Sequence, residues 1–351
     1  MTSLAVRLAA ATSNALSKVA GDGVADLRPM PRVLIDQGPL RSVYRFTAHG
    51  DEPGGEPVLL VPPLAAPALC FDLRRGCSLA EHLVGAGRRT YLVDYGNVSF
   101  SDRNLGVEHW IDEVLPKAIE KVHADSGGRD VHVVAWCLGG IFSLLTAADR
   151  ADLPIKSITT VASPFDFTQI PLVAPFRPLV DVTGGHILTP VYRALGGAPA
   201  GLVTQAFRLT GIDKEITKPL AIMKNLDDRD YLAQIEAVDR FMASMLAYPG
   251  RTFGQLYHRF FRANDLAEGT VDLGGRVISL SGVTVPTLVI AGENDVIAPR
   301  GAVERLVGLL DGAPSVRFES APGGHLGVIT GRAARRTTWR YIDEFLDEQM
   351  R

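Results

Sequence analysis

The segment Val131-His132-Val133-Val134-Ala135-Trp136-Cys137-Leu138-Gly139-Gly140-Ile141-Phe142 constrains this chain more than any other. A β-branched apolar run meets a cysteine, two glycines and then an apolar helical pattern, which reads as strand, sharp turn and helix. A nucleophile held in such a turn is exposed above the sheet edge, because only small neighbours tolerate the strained backbone. Cys137 occupies the tip. Against the common pattern G-x-S-x-G, the sequence Ala135-Trp136-Cys137-Leu138-Gly139 places alanine at the first glycine and cysteine at the serine. The methyl of Ala135 is tolerable, and a thiolate is a stronger nucleophile whose acyl product is a thioester. Taken alone, the pattern suits a buried structural cysteine equally well.

The elbow requires an acid and then a histidine later in the chain, and both follow. Leu288 to Ala291 reads as a buried strand that opens into Gly292-Glu293-Asn294-Asp295, placing Asp295 just past its end. Val316 to Ser320 alternates as a strand and opens into Pro322-Gly323-Gly324-His325-Leu326-Gly327, so His325 is the expected base. Asp166, after an earlier strand, is a rival acid. Asp94 also ends a strand but precedes the elbow, and is expected to tie loops together. His132 sits inside the elbow strand, and His186 and His258 fall in a helical region; each is expected to be packed or at the surface.

Around this core the pattern alternates. Val33 to Phe46 reads as two strands about a Gly-Pro turn, forming an antiparallel edge. Val58 to Val61 is a short buried strand, Ser78 to Ala86 helical, Thr90 to Asp94 a strand and Val107 to His123 helical. Ile155 to Val161 is the strand after the elbow helix. Such a βαβα rhythm predicts a mostly parallel sheet with helices on both faces. The rhythm breaks from about Thr168 to Gly282, where helical stretches such as Tyr231 to Leu246 and Thr252 to Phe261 are rich in Leu, Met, Phe and Tyr. Since the sheet pattern then resumes, residues 168–282 are expected to form an inserted, mainly helical cap, with 31–167 and 283–351 as the core. Residues 1–30 hold a weakly amphipathic helix, expected to pack on the body, with a polymer or lipid surface as the alternative.

The 351 residues, 46% of them hydrophobic, can bury a large core. A formal net charge of -3 with no basic stripe argues against nucleic acid. Three cysteines, Cys70, Cys77 and Cys137, cannot all pair and lack zinc spacing, which fits a reducing, cytoplasmic compartment. Neither a signal peptide nor an apolar run long enough to span a membrane is evident, and no metal or cofactor is expected.

In the expected chemistry, His325 takes the proton of Cys137 while Asp295 orients the imidazole and stabilises its charged form. The oxyanion needs preorganised donors: the backbone N-H of Leu138, and one from the loop Pro62-Pro63-Leu64-Ala65-Ala66, where prolines have none and Leu64 is the choice. A thiol exchanges acyl groups with coenzyme A thioesters at nearly level free energy, after which a hydroxyl acceptor would give an ester and water an acid.

These residues resemble the polyhydroxyalkanoate synthases, in size the class whose short catalytic chain works with a second subunit, within the α/β-hydrolase superfamily. The resemblance runs from about Pro57 to the C-terminus. It is carried by Phe71-Asp72-Leu73-Arg74-Arg75-Gly76-Cys77-Ser78-Leu79, Val93-Asp94-Tyr95-Gly96, Trp136-Cys137-Leu138-Gly139-Gly140, Ser163-Pro164-Phe165-Asp166-Phe167, Asp295-Val296-Ile297-Ala298-Pro299 and Gly323-Gly324-His325-Leu326-Gly327. Ala135 and Tyr95 depart from the family's usual glycine and tryptophan. The resemblance implies an α/β-hydrolase fold, 3-hydroxyacyl-coenzyme A as substrate, Cys137 as acyl carrier, His325 as base and Asp295 as its support. It also implies a non-catalytic partner subunit, and a homodimer is compatible with it. Within the same triad, a thioesterase or esterase on fatty-acyl substrates is the rival activity, and a non-catalytic scaffold the rival from another class.

Overall fold

A computed structural model describes residues 4–20, 23–47, 54–171, 188–209 and 212–350. Its centre is an eight-stranded sheet of order β1-β2-β4-β3-β5-β6-β11-β12. The members are β1 (Arg32–Gly38), β2 (Arg41–Phe46), β3 (Pro57–Val61), β4 (Arg89–Asp94), β5 (Val131–Trp136), β6 (Ile155–Val161), β11 (Thr287–Gly292) and β12 (Val316–Ala321). β1 pairs antiparallel with β2 at one edge and β2 pairs antiparallel with β4, and the remaining pairs are parallel. β3, β5 and β11 are buried along their whole length, as the continuous apolar runs of strands covered on both faces require.

The chain steps from β3 outward to β4 and then back across β3 to β5, so strand order reverses there. Open sheets place their sites in the crevice at such a switch point, beyond the carboxyl ends of the strands. Val61 pairs with Ala135 and Trp136 with Val161, so β3, β5 and β6 release their loops at the same level.

Helix α1 (Leu4–Ala20) lies against the turn at Leu226 and Asp227 through polar contacts, Arg7 Nε to Asp227 at 2.5 Å and Asn14 Nδ2 to the Leu226 carbonyl at 2.8 Å, and leaves Val6 and Leu16 exposed. Helix α2 (Leu79–Gly85) starts where Ser78 caps it, accepting from the Glu81 N-H. Helix α3 (Leu115–Asp125) follows a wider π-helical turn at His109–Val114. Helix α4 (Leu138–Asp149) is buried from Leu138 to Ala147, apolar on all sides because neighbours cover both its faces. One of them is the His109–Val114 turn, whose Ile111 carbonyl accepts from Thr146 Oγ1 at 3.2 Å.

Between β6 and β11 lie helices at Leu188–Ala194, Ala200–Leu209, Ile212–Lys224, Arg229–Ala243 and Gly250–Gln255. Two small ribbons accompany them: β7 (Gly197–Ala198) with β8 (Tyr248–Pro249), and β9 (Thr270–Leu273) with β10 (Arg276–Ser279). The second ribbon turns on Gly274 and Gly275, both at positive φ, and stands where helices and turns alone were expected. No helix among the described residues is long and apolar enough to cross a membrane.

Candidate active site

Cys137 leaves β5 with φ 54° and ψ -123°, a left-handed backbone that L-residues rarely adopt, and serves as N-cap of α4. The neighbourhood holds it there. Its N-H donates to the Val161 carbonyl at 2.8 Å, and its carbonyl accepts from Ser163 Oγ at 2.7 Å and from the Gly140 N-H at 3.0 Å. The two glycines of the elbow are required by close approach. A methyl on Gly139 would lie 2.5 Å from the Val61 carbonyl oxygen and 2.6 Å from that of Pro62, and one on Gly140 would run into Ser163 Oγ.

The same contact at Gly139 brings the Pro62–Ala66 loop against the elbow. Leu64 and Ala65 are buried, Ala65 has φ 66°, and its carbonyl is fixed by the Leu246 N-H at 2.8 Å. Leu138, at the first turn of α4, and Leu64 therefore lie on the two chain segments that meet beside Cys137.

The loops after β11 and β12 are also locked to one another. Glu293 N-H donates to the Ala321 carbonyl at 3.0 Å, and Asn294 N-H to that of Gly323 at 3.0 Å. Gly323 has φ 137°, and a side chain there would meet the Val328 backbone nitrogen at 2.7 Å. This brings Asp295 and His325 together. Asp295 Oδ2 faces His325 Nδ1 at 2.8 Å, while its Oδ1 accepts from the N-H groups of Ile297 and Ala298, both at 2.8 Å. Nδ1 is thus the protonated nitrogen of the neutral ring.

The other ring nitrogen, Nε2, is buried and has no hydrogen bond of good geometry among the described residues. Burial of His325 disfavours its charged form, but negative charge on Cys137 and then on Asp295 outweighs it, so the imidazolium is held up to about 10. Cys137 is the stronger of the two in raising it.

The rival residues lie elsewhere. Asp166 accepts from Thr168 N-H at 3.0 Å, Thr168 Oγ1 at 2.6 Å and Gln169 Nε2 at 2.7 Å in its own loop, and from Asn264 Nδ2 at 3.1 Å. Burial works against its charge, yet these donors hold its carboxyl below the ordinary carboxylate value. Asp94 Oδ1 receives the Gly96 N-H at 3.0 Å, a loop tie. His132 is fully buried and bonded to Ser157 Oγ at 2.8 Å; burial, with Arg88 and Lys156, lowers its pKa to about 4. His258 Nε2 lies 3.3 Å from Thr189 Oγ1 and 3.4 Å from the Tyr192 hydroxyl. His186 lies outside the described residues.

Sequence reasoning missed Trp136 and Tyr248. The Trp136 indole N-H donates to the His325 carbonyl at 3.1 Å, and its ring lies 5.2 Å from the imidazole, so the residue before the cysteine helps to seat the histidine. Phe241, on the helix Arg229–Ala243, lies 6.1 Å from the Trp136 ring. Burial and then negative charge on Cys137 raise the pKa of the Tyr248 phenol. A tryptophan in a buried strand looks like core, and its position before the nucleophile was the only signal. Among the described residues no cluster of side chains suits a metal ion.

The alpha/beta hydrolase fold family matches residues 56–182. Poly(3-hydroxyalkanoate) polymerase subunit PhaC of Allochromatium vinosum is 26% identical over 316 residues, covering 88% of this chain and 85% of its own. The protein of the same name from Synechocystis sp. is 26% identical over 328 residues, covering 91% and 85%. Among solved structures, mouse alpha/beta hydrolase domain-containing protein 10 superposes with TM-score 0.52 at 14% identity, covering 91% of this chain and 99% of that one. Proline iminopeptidase of Mycobacterium smegmatis gives 0.50 at 16%, covering 91% and 98%. These likenesses fix the architecture, a mostly parallel sheet with helices. The chain has an α/β-hydrolase fold and is similar in sequence to the poly(3-hydroxyalkanoate) polymerase subunits.

Proposed function

We propose that this protein is an acyltransferase that takes 3-hydroxyacyl groups from coenzyme A thioesters onto Cys137 and passes them to a hydroxyl acceptor, in the manner of a polyhydroxyalkanoate synthase. The observation that carries the reading is the Asp295–His325 pair, bonded at 2.8 Å, which leaves Nε2 of His325 without a hydrogen bond among the described residues, beside the strained elbow that carries a cysteine in the same chain order. The relatives named as poly(3-hydroxyalkanoate) polymerase subunits support the choice of substrate.

In this mechanism His325 Nε2 takes the Cys137 proton, and the thiolate attacks the thioester carbonyl carbon. The oxyanion is received by the backbone N-H groups of Leu138 and Leu64, each such donor stabilising the transition state by roughly 3 to 4 kcal/mol. The intermediate collapses with cleavage of the donor's carbon-sulfur bond, and His325 returns the proton to the departing thiol. A hydroxyl then yields its proton to His325, its oxygen bonds to the acyl carbon, and the Cys137 thiol leaves. Asp295 keeps the ring in the productive tautomer and stabilises the imidazolium.

Residues 168–282 act here as a cap on the core formed by 31–167 and 283–351. Contacts from Phe241 to Trp136 and from Leu246 to Ala65 bring that segment to the rim of the site, where it would limit the entry of water. Free thiols at Cys70 and Cys77 suit a reducing, cytoplasmic setting.

The test is release of coenzyme A from 3-hydroxybutyryl and longer 3-hydroxyacyl thioesters by the protein and by Cys137→Ala, with products sized by mass. Oligomeric ester that depends on Cys137 is the expected result. Free monomeric acid would mean that water reaches the acyl-enzyme and that the thioesterase reading replaces this one. No release from any thioester, alone or with a candidate second subunit, would leave the scaffold reading in its place.

A further inference from the structure

Four arginines, Arg103, Arg193, Arg251 and Arg259, line one cavity of about 470 Å³, and no carboxylate lines it among the described residues. Carboxylates neutralise two of the four from outside: Glu108 holds Arg251 at 2.8 Å, and Asp272 and Asp265 hold Arg259 at 3.0 and 3.6 Å. The other two have no ion pair among the described residues. Arg103 donates to the Phe100 carbonyl at 3.1 Å and lies 4.6 Å above the Phe100 ring, which aims its guanidinium without neutralising it. Arginine forks that converge in this way match phosphate oxygens, and the volume suits one small ligand rather than a polymer strand.

The cavity also has a position relative to the thiol. Gly196 and Gly250 form part of its wall, and each directly adjoins the β7–β8 ribbon, in which Gly197 pairs with Pro249 and Ala198 with Tyr248. A side chain on Gly250 would press on the Gly196 backbone at 3.1 Å and the Arg103 carbonyl at 3.2 Å, so the wall is backbone packed on backbone. Leu246, two residues before Tyr248, donates its N-H at 2.8 Å to the Ala65 carbonyl in the loop packed against the elbow, and Gly250 is two residues beyond Tyr248, about 7 Å along an extended chain. A second cavity of about 300 Å³, lined by Tyr248, Ala198, Phe100 and again Gly196, lies along the same ribbon.

We propose that the arginine-lined cavity is the docking site for the phosphorylated adenosine end of the acyl donor, whose long thiol arm runs along the β7–β8 ribbon past Tyr248 to Cys137. This rests on the acyl-thioester reading above and adds where the donor's charge is held. The acyl carbon is then positioned partly by contacts remote from it, as binding energy from non-reacting parts of a substrate allows.

The experiment compares wild type with the double variant Arg103→Ala/Arg193→Ala, both exposed positions outside the reacting groups. Acylation of Cys137 is followed by mass with two donors, 3-hydroxybutyryl-coenzyme A and the 3-hydroxybutyryl thioester of N-acetylcysteamine, which has no phosphates. We expect the double variant to raise KM for the coenzyme A donor at least about tenfold, since charge-assisted hydrogen bonds are lost, with kcat and the N-acetylcysteamine reaction unchanged. An unchanged KM, or an equal loss with both donors, would overturn the proposal. Acylation by N-acetylcysteamine thioester but not by coenzyme A thioester would also overturn it while leaving cysteine acyl transfer standing.

Calorimetric titration with 3′-phosphoadenosine 5′-diphosphate keeps the cavity testable should neither thioester react, the result that defeats the acyl-transfer reading. Binding by wild type that weakens tenfold in the double variant supports the nucleotide site, whereas absent binding, or equal binding of inorganic phosphate, overturns it.

Discussion

At the first turn of α4 a methyl group on Gly139 would collide with two carbonyl oxygens, whereas in the helix Ala200–Leu209 a methyl on Gly201 would meet nothing within 4 Å. The same contrast runs through the surroundings of each. Around the elbow, strand ends, helix start and two loops are fixed by backbone-to-backbone approach, and Leu138 to Ala147 are buried. Between β6 and β11, Leu202 is 58%, Leu220 54% and Met223 67% exposed. A reacting thiol must be held to within a fraction of an ångström, so its supports interlock. The segment between β6 and β11 needs no such interlock and leaves apolar side chains open to solvent.

The comparison can be broken most forcefully at the acid. Asp295→Asn should lower the acylation rate by about 10³- to 10⁴-fold with the fold intact. The amide would accept from Ile297 and Ala298 but donate to Nδ1, driving the ring proton to Nε2 where it blocks transfer from Cys137. Stopped-flow acylation together with an unchanged circular dichroism spectrum checks this, and a loss below tenfold would remove Asp295 from its role.

Paired glycine substitutions come next, with opposite signs expected. Gly139→Ala should destabilise by about 1–3 kcal/mol through overpacking, and Gly201→Ala should stabilise by about 0.5–1 kcal/mol through helix propensity. Urea midpoints measure both, and two shifts of the same sign would erase the distinction drawn between the regions.

A subtler consequence concerns His325. In Cys137→Ala the strongest influence raising its pKa is gone, leaving burial opposed by Asp295 alone, so the value should fall from about 10. The ring's NMR titration reads this directly, and an unchanged value would show that the thiol is not the partner of Nε2. Last and smallest, Asp166→Asn should change acylation less than about threefold, because its partners are Thr168, Gln169 and Asn264 rather than His325.

Much of the sheet was legible because its strands are apolar and bounded by Gly and Pro, and the elbow because Cys137-Leu138-Gly139-Gly140 follows a strand without a spacer. Asp295 and His325 could be found from chain order, since their loops leave neighbouring strands. Trp136 could not be separated from core packing, as its hydrogen bond reaches a residue distant in sequence. Nor could Tyr248, whose place is set by a two-residue ribbon. The β9–β10 hairpin was signalled by Gly274-Gly275 but submerged in a stretch dominated by helical spacing. The four arginines around the cavity are scattered from Arg103 to Arg259, and no linear pattern gathers them.

The separation of Trp136 from His325 by 189 residues has a consequence during synthesis. The ribosome makes the nucleophile well before its base, by roughly 10 to 40 s at ordinary elongation rates. The parallel pairing of β6 with β11 and of β11 with β12 must form before Asp295 and His325 reach the elbow. In the proposed mechanism a nascent or C-terminally truncated chain therefore carries the cysteine without its activator, and acyl transfer would become available only once the His325 loop has folded.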